Sequence, residues 1–144
     1  MDIDLALLAD AATVDSSGKL NILGIFDRLG AASFPVRHPR LALVLRFFAG
    51  MNEAGRHEVS ITLRDPDGGE VMKIDGELAL GGGPAGAAEG IRVPHVLNVD
   101  GLIFPRAGRY AFDVAVDGRH EVSIPLLVSG PTPAGPGGGA PAQA

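Results

Sequence analysis

The chain has 144 residues, of which 46% are hydrophobic and 20% charged, and it carries a net charge of −5 with a pI near 5.2. That balance fits one globular domain with a core of its own and excludes a disordered or coiled-coil chain. The acidic surplus argues against a sequence-independent grip on nucleic acid, and without cysteine there is no disulfide framework, thiol nucleophile or zinc knuckle.

Asp2 and Asp4 stand where a secretory signal carries Lys or Arg, and Asp10 cuts the apolar stretch, so a cytoplasmic protein is expected. No run of about 18 apolar residues offers a membrane-crossing helix. Ile3, Leu5 and Leu7 alternate with Asp2, Asp4 and Ala6 and predict a first strand, although 5–12 also suits a short helix because Ala and Leu favour one. Asp15, Ser16, Ser17 and Gly18 then turn the chain.

In 19–28, KLNILGIFDR, Leu20, Ile22 and Phe26 share one face and Leu23 and Ile25 the other. A strand apolar on both faces is expected at the centre of a sheet, with the partner sheet over one side and a loop, tail or second molecule over the other. Residues 29–40 read as an irregular crossing broken by Pro35 and Pro39. The next strand, 41–48 (LALVLRFF), is again apolar on both faces, with Leu41, Leu43, Leu45 and Phe47 on one and Val44 and Phe48 on the other.

Residues 57–64 alternate as a half-buried strand, and Asp65-Pro66-Asp67-Gly68-Gly69 turns the chain into a return strand, 70–80, with Met72, Ile74, Leu78 and Leu80 inward. The stretch 81–90, GGGPAGAAEG, predicts a mobile surface loop. Pro94 and Gly101 interrupt 91–104, which therefore reads as an edge or bulged strand. Tyr110, Phe112, Val114 and Val116 point inward from the following strand, Asp117-Gly118 signals a two-residue hairpin, and 119–128 completes it. Beyond a domain spanning 1–129, residues 130–144 are Gly, Pro, Ala and little else and predict a disordered tail.

About eight short strands separated by turn residues, with no sustained helical period, describe an all-β fold, an antiparallel β-sandwich. Phe104-Pro105 followed by Gly108-x-Tyr110-x-Phe112 resembles the approach to the penultimate strand of immunoglobulin-like domains. That resemblance implies a Tyr110 hydroxyl bonded back to the preceding corner; the plainer reading is a core residue at the rim. The heptapeptide GRHEVSI occurs at 55–61 and 118–124, opening a strand each time. A duplicated recognition edge would explain it, but nothing around the copies repeats, which favours two strands meeting the same demands. The opening as a whole, Leu7-Leu8-Ala9-Asp10-Ala11 with KLNILGIFD at 19–27 and Phe34-Pro35, resembles a family of small uncharacterised bacterial proteins, a domain of unknown function. The resemblance runs through Val128 and implies no activity and no functional residue.

No reaction is legible. His38, His57, His95 and His120 lack metal-site spacing, since His57-Glu58 has no second histidine four residues on, and His57 and His120 are expected to cap the core rim at strand starts. Asp65, Asp67 and Glu70 supply too few oxygens for a calcium loop and are a turn sequence first. No serine sits in a Gly-x-Ser-x-Gly elbow, and 81–83 leads into no Lys-Ser or helix start. No catalytic residue, cofactor or metal is assigned, and an enzyme is not expected.

Leu23, Ile25, Val44 and Phe48 form the candidate interface. Leaving them exposed would cost about 1.5–3 kcal/mol each and create a patch larger than a monomer usually shows. The expectation is a non-catalytic module that binds itself, as a homo-oligomer, or another protein, unless 29–40 or the first segment folds over that face. The rival is a small-ligand or carbohydrate carrier with its site between the 29–40 crossing and the 81–90 loop. An aromatic content of 5% without tryptophan weighs against it. Neither nucleic acid nor a membrane is expected as a partner.

Overall fold

The computed structural model describes residues 1–80 and 90–131. The loop expected at 81–90 and the tail expected at 130–144 fall outside these residues except for Gly90, Gly130 and Pro131. The described chain is all-β: β1 (Asp2–Val14), β2 (Leu20–Phe26), β3 (Arg28–Gly30), β4 (Val36–Ala49), β5 (Gly55–Arg64), β6 (Glu70–Leu80), β7 (Ile91–Phe104), β8 (Gly108–Val116) and β9 (Arg119–Ser129), with one 3-10 turn at Met51–Glu53. A four-stranded sheet runs in the order β2-β1-β4-β7, and a five-stranded sheet, curled into a half-barrel, in the order β3-β9-β8-β5-β6. All neighbours are antiparallel except β3 and β9.

The alternation of apolar residues decides which side of each strand meets the other sheet. Leu41, Leu43, Leu45 and Phe47 of β4 are fully buried and share one cluster with Tyr110, Phe112 and Val114 of β8 and Leu126 of β9. Phe104 and Tyr110 meet edge to face, with centroids 5.0 Å apart. The Tyr110 hydroxyl donates to the carbonyl of Arg106 at 2.8 Å, so the corner bond expected from the sequence is formed.

Local turn chemistry behaves as its residues dictate. One carboxylate oxygen of Asp15 accepts from the backbone N–H of Ser17 and Lys19, and Asp65 does the same for Asp67 and Gly69. Asp117 and Gly118 have φ of 51° and 79°, the left-handed pair that a two-residue hairpin requires.

One open choice is decided as the alternation predicts, and two expectations change. The first segment is strand to Val14, because β2 and β4 both pair with it and leave no room for the helical alternative. The crossing 29–40 does not fold over a sheet face: it becomes β3 in one sheet and the first half of β4 in the other. Pro39 is tolerated there because β1 stops pairing at Ala9 and Ala42, so β4 is locally an edge. Most consequentially, β2 is not central. It is the outermost strand of its sheet, since the far side of β1 is taken by β4.

Candidate interaction face

The register defines the outer face of the four-stranded sheet, the side turned away from the core. Ile25, Ala9 and Ala42 form one row, and Leu7, Val44 and Val96 the next. Ala9, Ala42 and Val44 are fully buried yet take no part in the cluster between the sheets, while Leu5, Leu7, Pro94 and Val96 around them are half-buried. At the β2 margin the face opens. Leu23 is 72% and Ile25 66% exposed, the two most exposed large apolar side chains among the described residues.

Both ends of this face carry charge that is already paired. Asp4, at a register shift in β1, accepts from Arg46 Nε at 2.7 Å and Arg92 Nε at 2.8 Å. The Arg46 guanidinium first, and that of Arg92 second, hold the Asp4 carboxyl below the usual carboxylate range. At the other end Arg40 Nε donates to Asp100 at 2.8 Å. Between the ends the centre of the face is apolar, with Asn98, opposite Ala42, as an exposed polar residue on its β7 side.

Among the described strands there are four sheet edges, β2, β7, β3 and β6. β7 carries Arg92, Pro94 and Asp100, β6 carries Glu70, Lys73, Asp75 and Glu77, and β3 is three residues long with Arg28. These are the usual guards against strand-to-strand association. β2, Leu-Asn-Ile-Leu-Gly-Ile-Phe, has neither a charge nor a proline.

The four residues singled out from the sequence are thus all on one face but do not act alike. Leu23 and Ile25 are open to solvent. Val44 is fully enclosed, and Phe48 is half-buried beneath the guanidinium of Arg92, 4.8 Å from the ring centroid. Neither residue of β4 is free to meet a partner directly, so the available surface is the β2 margin. The sequence reading missed the edge because an adhesive edge and a fully covered central strand share the same composition.

The histidines are dispersed, and among the described residues no three His, Asp or Glu side chains converge as a metal-binding set. His57 does cap the rim: Nδ1 lies 2.6 Å from Asp117 Oδ2, and Nε2 lies 2.6 Å from the Glu53 carbonyl. Both facing atoms are acceptors, so the two contacts favour the doubly protonated, cationic imidazole. The Asp117 carboxylate first, then the Glu53 carbonyl, raise its pKa; His57 in turn, with the Glu58 N–H second, lowers that of Asp117. Around them stand the Met1 amino group, paired with the Glu53 carboxylate, and Arg119 and Glu121. His120 does not cap the rim. A register shift in β9 sets it opposite Ala115 and turns it outward, where Nε2 is 2.9 Å from Ser123 Oγ.

One apolar recess lies where the margins of the two sheets adjoin, between β6 and β7. It holds about 220 Å³ and is lined by Phe47, Ile61, Ile74, Leu78, Leu97 and His95, with Asp75 and Glu77 at its side. Burial lowers the pKa of the His95 imidazole and keeps it neutral. A larger groove of about 680 Å³ beside Glu58, Ser60, Lys73, Asp75 and Glu77 is open and polar.

Among the described residues these features define an all-β fold in which two sheets contribute to one apolar core and one uncharged edge, β2, carries the most exposed apolar groups. Residues 4–129 match the Family of unknown function (DUF6941), and the chain belongs to this family. No curated protein matches the chain. No helix of the described residues is long and apolar enough to cross a membrane.

Proposed function

We propose that the protein is a non-catalytic interaction module, an immunoglobulin-like β-sandwich that takes up a strand of another protein chain along β2. The observation that carries this reading is the uncharged edge, with Leu23 and Ile25 standing exposed beside a sheet face whose centre, Ala9, Ala42 and Val44, is buried. Strand addition supplies main-chain hydrogen bonds to an edge that has none, and side chains on alternate positions give selectivity. The sandwich form is supported by the core shared between the sheets, and the immunoglobulin-like form by the bond from Tyr110 to Arg106.

The experiment uses a labelled peptide of residues 19–28, whose terminal Lys and Arg keep it soluble, together with light scattering over a wide concentration range. An edge that docks strands binds the peptide or brings whole chains together, and Leu23→Lys with Ile25→Lys abolishes both while leaving the melting transition intact. A wild-type monomer that ignores the peptide overturns the reading.

A second reading, a carrier of small ligands, is favoured by the recess beside His95 rather than by the position expected from the sequence, part of which lies outside the described residues. Its apolar lining and one neutral imidazole suit a compact apolar molecule with a hydrogen-bonding end. A thermal shift with such ligands that Leu97→Arg removes would support it, and no shift with any of them would dismiss it.

A further inference from the structure

We propose that the strand docking on β2 is the β2 of a second copy of this chain, antiparallel to the first about a twofold axis at Gly24; the proposal rests on β2 being a docking edge. Identical edges that meet by the same side form a closed, self-complementary pair, and two such twofold arrangements exist. An axis lying along the strands sets them parallel and places the two outer faces on opposite sides of the joined sheet, leaving Leu23 and Ile25 of each copy bare. An axis perpendicular to the sheet sets them antiparallel and keeps both outer faces on one side. Only the second arrangement brings all four exposed side chains together.

The sequence of β2 then selects the register. With Gly24 opposite Gly24 of the second copy, Leu23 faces Ile25, Ile25 faces Leu23, and Ile22 faces Phe26 on the other side, so each apolar residue adjoining the axis meets an apolar partner. A slip of one residue would set outer-face residues against inner-face ones. A slip of two toward the strand start would set Asn21 against Ile25 and Ile22 against Gly24. A slip of two the other way would bring Leu23 against Asp27 and Ile22 against Arg28. The centred register also disposes of the one irregular point in the strand. Gly24 has φ of +73°, and a Cβ there would overlap the Asp10 carboxylate, so the residue departs from strand geometry and bears no side chain at the place where the axis passes. The product is a continuous eight-stranded sheet with the paired charges of Asp4, Arg46 and Arg92 far from the seam.

The chain has no cysteine, which makes the register directly readable. Leu23→Cys and Ile25→Cys are made separately in the full chain, at positions exposed enough for the fold to accept them. Directly opposed residues have Cβ atoms about 4.5–5.5 Å apart and diagonal ones about 7–8 Å, whereas a disulfide needs about 3.5–4.5 Å. Mild oxidation of the mixture is expected to yield a cross-linked species of twice the 14.8 kDa chain mass, at least about tenfold more than either variant yields alone, because only the mixed pair is directly opposed. Self-cross-linking of Leu23→Cys by itself overturns the register, and a monomeric mass at every concentration overturns the second copy. A monomer that still binds the 19–28 peptide leaves the docking edge standing without this proposal; a monomer that ignores it removes both.

Discussion

His57 Nδ1 and Asp117 Oδ2 lie 2.6 Å apart across 60 residues of sequence, tying the start of β5 to the hairpin between β8 and β9. The folded protein holds the imidazolium proton more tightly than an unfolded chain, in which histidine titrates near 6.5, so its folded pKa is raised. The stabilisation is complete below that value and is lost as pH rises through the folded pKa. The melting-temperature gap between wild type and His57→Gln is therefore expected to be widest in mildly acidic solution, below the unfolded value, and to narrow steadily as the pH rises into the alkaline range. Asp117, lowered below its usual 3.8, adds a separate loss as pH falls through its folded pKa. A gap that stays constant from neutral to alkaline pH contradicts the pairing.

The corner bond gives a prediction independent of pH. Tyr110 is 1% exposed and its hydroxyl donates to the Arg106 carbonyl at 2.8 Å. Tyr110→Phe keeps the ring against Phe104 and removes only the donor, at an expected cost of about 1–2 kcal/mol. Urea denaturation with an unchanged slope and a lower midpoint is the expected result, and an unchanged midpoint would show the bond to be dispensable.

Gly24→Ala is expected to destabilise by about 1–3 kcal/mol, because alanine must adopt a left-handed φ. The new Cβ also overlaps Asp10. Adding Asp10→Ala should recover part of the loss, since it relieves the overlap and not the backbone. Full recovery in the double variant would mean that the backbone conformation carries no penalty.

Asp4 holds β1 to β4 and β7 through Arg46 and Arg92. Asp4→Asn is expected to cost about 0.5–1 kcal/mol at neutral pH, the scale of a partly exposed ion-pair network, and less in high salt. Because the two guanidinium groups lower the Asp4 pKa, the contribution is present above its usual 3.8 and fades as pH falls through the folded value. The variant and wild type should accordingly converge in stability in strong acid, as followed by circular dichroism against denaturant.

Features with local causes were the ones legible in the sequence. Asp117-Gly118 turns the chain because of its own backbone preferences, and Tyr110 reaches only four residues back. β4 was readable as a strand buried on both faces. β2 has the same pattern and the opposite fate, because its place depends on Ala9 lying between Ile25 and Ala42, a pairing set by residues far away in sequence. The charge-free run was visible, but enclosure and adhesion both demand it. The outward turn of His120 follows from a register shift in β9, whereas the identical heptapeptide at 55–61 has no such shift before Leu63. Identical sequence therefore did not mean identical surroundings.

The short parallel pairing of Arg28–Gly30 with Leu127–Ser129 bears on how the chain is made. β2 and β3 are almost contiguous in sequence and belong to different sheets, and β3 has no neighbour until the last strand of the domain arrives. During synthesis the β5–β6 hairpin, closed by its own turn, can form early, while β9 is still on the ribosome and the five-stranded sheet lacks the strand that links β3 to β8. Pairing residues about a hundred positions apart is slow. The domain therefore acquires its final shape only once β9 has emerged rather than strand by strand, and until then the wait of β3 for its distant partner sets the time for which apolar edges stay open to other molecules.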